Sequence, residues 1–139
     1  MAVKTLQLDI VSAEASIFSG EVQRMEVTGQ QGELGIHPGH TALISPLKPG
    51  QVGAVLPSGE LEYFYISGGM LEVQPHTVTV LADTALRAED IDEAAVLQAK
   101  ERAEKQLVDR QSEIDHTQAL AELAELAAQL KALKSLRKH

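Results

Sequence analysis

The sequence contains no cysteine. That absence removes disulfides, thiolate nucleophiles and cysteine metal ligands, and it fits a reducing compartment. Aromatic rings are scarce, limited to Phe18, Tyr63, Phe64 and Tyr65. The core must therefore be built mainly from aliphatic side chains, and stacking platforms for nucleic-acid bases are nearly lacking. Bases are outnumbered by acids, 12 against 20, and the net charge of −8 argues against nucleic acid and anionic membrane surfaces as partners. No apolar run approaches the roughly 18 residues that a spanning helix needs. The N-terminus, MAVKTLQLDIV, enters an alternating pattern at once, without a basic stretch followed by an apolar block and without Arg/Ser-rich character. It predicts a chain with neither signal nor transit segment, facing the cytosol.

Glycine and proline are present but stop abruptly. All ten glycines lie between Gly20 and Gly69 and all five prolines between Pro38 and Pro75, whereas eleven alanines fall between Ala88 and Ala132. A compositional break of this kind marks a change of architecture near residues 83–90. We expect an α+β chain: an antiparallel β-sandwich over residues 1–86 and an antiparallel α-helical hairpin over 87–139.

In the first part, LQLDI alternates Leu6, Leu8 and Ile10 with Gln7 and Asp9, the period of a half-buried strand. LEYFYI and TVTVL are rich in β-branched and aromatic residues. Turn signals recur at Ser19-Gly20, Gln31-Gly32, Pro38-Gly39, Pro49-Gly50, Ser58-Gly59, Gly68-Gly69 and Gln74-Pro75. This spacing predicts a sandwich or barrel, and the lack of intervening helices argues against parallel pairing. In the second part, Asp90 with Glu93 predicts one helix start and Ser112 with Asp115 a second, with the short DRQS segment turning the chain back. Leu120, Leu123, Leu126, Ala127, Leu130 and Leu133 form one predicted apolar stripe, and Ile91, Ala95, Val96, Ala99, Ala103 and Leu107 a weaker one. Burial contributes about 25 cal/mol per Å² and alanine has little area to bury, so docking of such a hairpin is expected to be weak enough for a partner to move it. The last ten residues carry Lys131, Lys134, Arg137 and Lys138 and no acid. That pattern suits a helix C-terminus, the reading that composition favours; the sharper alternative is a basic tip that docks on an acidic surface.

The stretch GELGIHPGH places His37 and His40 three apart with Glu33 upstream. Pro38 and Gly39 between them signal a turn, no second ligand cluster accompanies them, and no metal is expected. Ser67-Gly68-Gly69 lies between two strands and lacks the strand-to-helix setting of a nucleophile elbow. No Gly-Lys-Ser or Gly-Lys-Thr phosphate loop occurs. The residues thus indicate a non-catalytic, acidic, two-part protein that binds or regulates. A free-standing ligand-binding sandwich and an enzyme using His37 and His40 are the competing classes.

Two longer segments are more specific. LDIVSAEASIFSGEVQRMEVTGQQGELGIHPGHTALISPLKPG, followed by YISGGMLEVQPHTVTVLADTALRAEDIDEA, resembles the epsilon subunits of bacterial F-type ATP synthases, and the resemblance covers the full chain. The mitochondrial counterpart, called delta, fits less well without a transit segment. The resemblance implies a non-catalytic central-stalk part of a proton-translocating rotor, without cofactor. It would be peripheral at the cytoplasmic face of the bacterial inner membrane and associated with the membrane only through the complex. The implied partners are the gamma subunit, the ring of c subunits and, through the hairpin, the alpha/beta catalytic hexamer, whose ATP hydrolysis the hairpin inhibits.

Carried over by position, Ser12, Glu14 and His40 would face gamma, and Gln31, Gly32 and Glu33, with Gln30 beside them, would face the c ring. Lys131, Lys134, Arg137 and Lys138, with Lys100, Arg102 and Lys105, would meet an acidic segment of beta. Some family members bind ATP through Ile/Leu-Asp-x-x-Arg-Ala. Here the match is Ile91-Asp92-Glu93-Ala94-Ala95-Val96, with Ala95 where the motif has arginine. Alanine offers phosphate neither charge nor donors, so Ile91, Asp92 and Arg102, which is seven residues beyond Ala95, are expected to bind ATP weakly or not at all.

Overall fold

The computed structural model describes residues 4–109 and 113–138. Strands fill the first part: β1 (Leu6–Ser12), β2 (Ser16–Val22), β3 (Arg24–Gly29), β4 (Gly32–Ile36), β5 (Leu43–Val55), β6 (Leu61–Ile66), β7 (Gly69–Val73), β8 (Thr77–Ala82) and β9 (Ala85–Arg87). A single 3-10 turn, Ala88–Asp90, leads to α1 (Glu93–Asp109) and α2 (Glu113–Lys138). The expected strands LQLDI, LEYFYI and TVTVL are β1, β6 and most of β8, and their alternation sorts side chains by face.

The strands pair in the order β2-β1-β8-β7-β5-β3-β4, with β6 on β5 and β9 on β6. The thirteen-residue β5 belongs to both layers of the sandwich. Its first half, Leu43 to Leu47, pairs with β7, and its second half, Gly50 to Val55, pairs with β6. The turn expected at Pro49-Gly50 is therefore a bend inside one strand, at the point where β5 leaves one partner for another. Ser19-Gly20, also expected as a turn, lies within β2. The other turn signals do punctuate strands; Gly32, Gly39, Gly59, Gly68 and Gly69 all have positive φ.

Among the described residues all pairings are antiparallel except one. β1 and β8 run parallel from Gln7↔Thr77 to Ser12↔Ala82, contrary to the expectation from the lack of helices. That expectation holds for strands joined by a direct crossover. Here six strands, β2 to β7, separate the pair along the chain, and the sandwich itself makes the return.

One cluster fills the sandwich, including Leu8, Ile10, Val52, Phe64, Leu71 and Val80. A second lies between sandwich and hairpin: Tyr65, Ala88, Ile91, Val96, Leu126, Ala128, Ala132 and Leu133. Strand alternation divides β6 between them, with Phe64 and Ile66 inside the sandwich and Tyr63 and Tyr65 toward the helices. α2 lies against β5, β6 and the 3-10 turn, and α1 packs on α2.

Three helical expectations change. α1 is capped by Asp92 rather than Asp90, because the 3-10 turn takes up Asp90 and extended Ile91 turns its side chain into the interface. The Ala95 N–H donates to Asp92 Oδ1 at 3.2 Å, and the Val96 N–H to the Asp92 carbonyl at 3.0 Å. The α2 stripe is shifted: Leu120 and Ala127 are exposed, while Ala119, Ala128 and Ala132 are buried with Leu126 and Leu133. α2 is packed by two partners, α1 and the sandwich, and the buried alanines lie among these contacts. On α1, Ala95 of the weaker stripe is likewise exposed, being in the first turn beyond the cap. The second helix start expected at Ser112, and the side chains of Asp115 and Lys138, lie outside the described residues.

Candidate functional surfaces

Three regions gather the residues singled out above. The first is the outer face of the layer formed by β5, β7, β8, β1 and β2. Register lines up Pro46, Met70, Leu81 and Val11 across four strands. Met70 and Leu81 are 41% and 50% exposed, and Ile44, beside Pro46 on the same face, is 70% exposed. Large apolar side chains gathered on one open face are the informative exception on a soluble surface. The next rows are polar: Gln7, Asp9 and Ser19 are mutually hydrogen-bonded, with Ser19 Oγ donating to Asp9 Oδ1 at 2.6 Å.

Ser12, Glu14 and His40 do not cluster; they bracket this face. Ser12 closes the β1–β2 turn, its Oγ accepting from the N–H groups of Glu14 and Ala15, both at 3.3 Å, and Glu14 is exposed. His40 sits at the opposite end, where the Gly39 N–H donates to the Pro75 carbonyl at 2.8 Å beside the start of β8. The paired stretch of β1 and β8 between the two ends measures about 17 Å at strand rise. His40 Nδ1 lies 2.7 Å from the Thr41 carbonyl, and His37 is exposed. Among the described residues no group of three or more His, Asp or Glu could hold a metal ion.

The second region is the β3–β4 turn, Gln30 to Glu33, whose residues are exposed. It flanks a groove of about 480 Å³ lined also by Leu34, Ile44 and Pro46. Glu33 is not a lone turn acid. It accepts from Thr28 Oγ1 at 2.9 Å and lies 3.5 Å from Lys131 Nζ on α2. Two residues assigned to different partners by the resemblance thus meet inside one chain.

The third is the end of α2. Arg137 grips Glu93 with both terminal guanidinium nitrogens, and this contact holds the Glu93 carboxyl below its ordinary range. Lys134 is exposed, and Ser135 Oγ donates to Gln51 Oε1 at 3.0 Å. Beneath α2, burial pushes the Tyr65 phenol up to about 12; a Gln129 hydrogen bond opposes the shift and the nearby Glu125 charge adds to it. Tyr63 is raised by burial and then by Glu26. Ile91, Asp92 and Arg102 do not converge: Ile91 is buried in the interface, Asp92 caps α1, and Arg102 is exposed about 15 Å farther along the helix at its ordinary rise. Lys100 is half-buried and Lys105 pairs with Glu101 one turn back.

Sequence reasoning missed Thr28, Gln51, Tyr65 and Arg87. Arg87 bonds Glu62 at 3.1 Å and the Ile17 carbonyl at 3.0 Å and lies over the Phe64 ring, tying β9, β6 and β2 together where the helices begin. The alternation Tyr63-Phe64-Tyr65 was the available signal, since it puts two rings on one face of β6 and one on the other.

Comparison with known proteins accounts for the two-part layout. Residues 5–88 match the family model of the ATP synthase delta/epsilon chain β-sandwich domain, and residues 89–134 that of its long α-helix domain. The chain is 58% identical over 134 residues, 96% of each chain, to the ATP synthase epsilon chain of Nitrosococcus oceani. In fold it is similar to a chain in the OSCP/F1/c-ring structure of Euglena gracilis mitochondrial ATP synthase, with TM-score 0.85, 23% identity, and coverage of 93% of this chain and 81% of the other. It also resembles a chain in the central stalk/c-ring structure of the Tetrahymena thermophila enzyme, with TM-score 0.65, 13% identity, and coverage of 96% and 99%. Among the described residues no helix is long and apolar enough to cross a membrane. A sandwich and a two-helix arm, matched in order along nearly the whole length, make this chain a member of the ATP synthase delta/epsilon chain family, non-catalytic subunits of that complex.

Proposed function

We propose that the chain is a central-stalk rotor part of a proton-translocating F-type ATP synthase, in which residues 1–86 dock and residues 87–139 regulate. The outer sheet face binds the gamma subunit. The observation that carries this reading is the open row Pro46, Met70, Leu81 and Val11 with Ile44 beside it, bracketed by Ser12 and Glu14 at one end and His40 at the other. The exposed β3–β4 turn, Gln31, Gly32 and Glu33, meets the ring of c subunits. The assembly lies at the cytoplasmic face of the bacterial inner membrane, which this chain reaches only through its partners.

The hairpin is the regulatory arm. Its interface with the sandwich rests on two tyrosines, a few branched side chains and small alanines, supplemented by one exposed ion pair and one part-buried hydrogen bond. Exposed pairs contribute little, roughly 0–1 kcal/mol each, so the docked position is one a partner can overcome. Once released, the arm offers Lys131, Lys134, Arg137 and Lys138 to the acidic surface of beta in the catalytic hexamer and restrains ATP hydrolysis.

Two experiments test this function. Leu81→Glu with Met70→Glu should abolish co-purification with gamma while the far-UV circular dichroism stays unchanged. Retained co-purification of a folded variant sinks the docking surface. Truncation after Asp90 should leave synthesis intact and raise hydrolysis by the assembled enzyme. Hydrolysis no faster than that of the whole enzyme rejects the inhibitory arm.

A further inference from the structure

Polar contacts between hairpin and sandwich form a closed circuit. Lys131 and Ser135 are one helical turn apart on α2, so they share a face. Lys131 Nζ reaches Glu33 Oε1 at 3.5 Å, and Ser135 Oγ donates to Gln51 Oε1 at 3.0 Å. The two sandwich acceptors are joined beneath the helix by Thr28, whose hydroxyl donates to Glu33 Oε1 at 2.9 Å and accepts the Gln51 N–H at 3.3 Å. Among the described residues Thr28 is the buried polar side chain of the core, 9% exposed. Its position needs a glycine at Gly50, where a Cβ would lie 2.4 Å from Thr28 Cβ. The circuit therefore runs from the β3–β4 turn through β3 and β5 into α2 and back to the turn.

We infer that this circuit couples the β3–β4 turn to the hairpin: a partner that engages the Glu33 carboxylate loosens α2, and a docked α2 weakens that partner. Glu33 keeps a side-chain exposure of 49% and stands beside the open groove, so a partner can reach it. A cation placed there competes with the Lys131 ammonium for the carboxylate charge. The competitor is a surface that carries such a cation; that it belongs to the c ring rests on the function proposed above. An exposed ion pair sets the scale, so the bias is about two- to fivefold in the docked-to-released ratio. By linkage, the partner's affinity falls by the same factor when the hairpin is docked. A bias of this size matters because the apolar part of the interface is small.

The test is a double-mutant cycle on the isolated full chain, read by hydrogen exchange of amides 126–136. Glu33→Gln keeps an acceptor for Thr28 and removes the charge; Lys131→Gln removes the other partner. Each is expected to speed exchange about two- to fivefold, and the double variant no more than either single one. Unchanged exchange in the single variants, or effects that multiply in the double, overturns the coupling. A second measurement compares the assembled enzyme with its soluble part lacking the ring. With the ring present, amides 30–33 should slow and amides 126–136 should quicken in the wild type but not in Glu33→Gln. Slowed turn amides with unaltered α2 amides overturn the coupling and leave ring docking standing. Turn amides that do not slow reject the ring as the competitor, and the cycle on the isolated chain then decides the coupling.

Discussion

Arg137, in the last turn of α2, grips Glu93, in the first turn of α1, with Nη1 on Oε1 at 3.1 Å and Nη2 on Oε2. The pair fastens the far end of one helix to the beginning of the other. It also occupies a cation that the regulatory reading sends to another subunit, as Glu33 occupies Lys131. On that reading, release of the arm would exchange these ion pairs for others.

The Glu93–Arg137 pair makes the hairpin sensitive to acid. The Arg137 hydrogen bond, then its charge, lowers the Glu93 carboxyl below its ordinary 4.5. A group lowered on folding contributes above its unfolded value and loses that contribution as pH falls through the folded one. Wild type should therefore melt higher than Arg137→Gln at pH 6, and the difference should vanish as pH drops below 4.5 toward the lowered folded value. A difference that persists undiminished at pH 2.5 would contradict this account.

Alkali should act on the other side of the interface. Burial raises Tyr65 from 10.0 to about 12, so its contribution is complete below 10.0 and is lost as pH rises through about 12. In Tyr63→Phe, tyrosinate absorbance reports Tyr65 alone. A midpoint near 12 in the native protein and near 10.0 in denaturant is expected, with loss of α2 docking over the same range. A native midpoint at 10.0 would mean that Tyr65 is solvated and the hairpin undocked.

Two glycines separate strain from collision. Gly69 has φ +143°, and a Cβ there would lie 2.0 Å from the Leu81 carbonyl oxygen. Gly32 has φ +133° with nothing within 4 Å. Gly69→Ala should cost at least about 3 kcal/mol of unfolding free energy, since backbone must move, whereas Gly32→Ala should cost about 1 kcal/mol from conformation alone. Urea unfolding measures both, and equal losses would refute the distinction.

ATP affinity should be low. Ala95 replaces the arginine of the family's nucleotide motif, Asp92 is engaged as a helix cap and Ile91 is buried against the sandwich. Calorimetric titration of the full chain should give no binding tighter than about millimolar, a free energy near −4 kcal/mol. A micromolar constant would require a different arrangement of this segment.

Much of the architecture was legible because it is written in short-range patterns. Alternation marks β1, β6 and β8, and the end of glycine and proline usage marks the change to helices. What local patterns do not encode is long-range pairing. The parallel contact of Leu8 with Val78 and the bend of β5 at Pro49-Gly50 depend on strands remote in sequence. The same limit hid Thr28 and Gln51, which read as ordinary strand residues until Lys131 and Ser135 are brought over them. The shifted stripe of α2 has a related cause: periodicity identifies an apolar arc but not how two partners divide it.

The bend in β5 has one further consequence. Ile44 stands on the exposed sheet face and Gln51 lies under α2, yet seven residue steps of one continuous strand join them, about 23 Å if fully extended. Noncovalent layers can slide past each other under load, whereas a main chain stretched between two surfaces cannot lengthen. A pull applied at Ile44 would be carried toward the platform beneath the helices through the covalent main chain of β5.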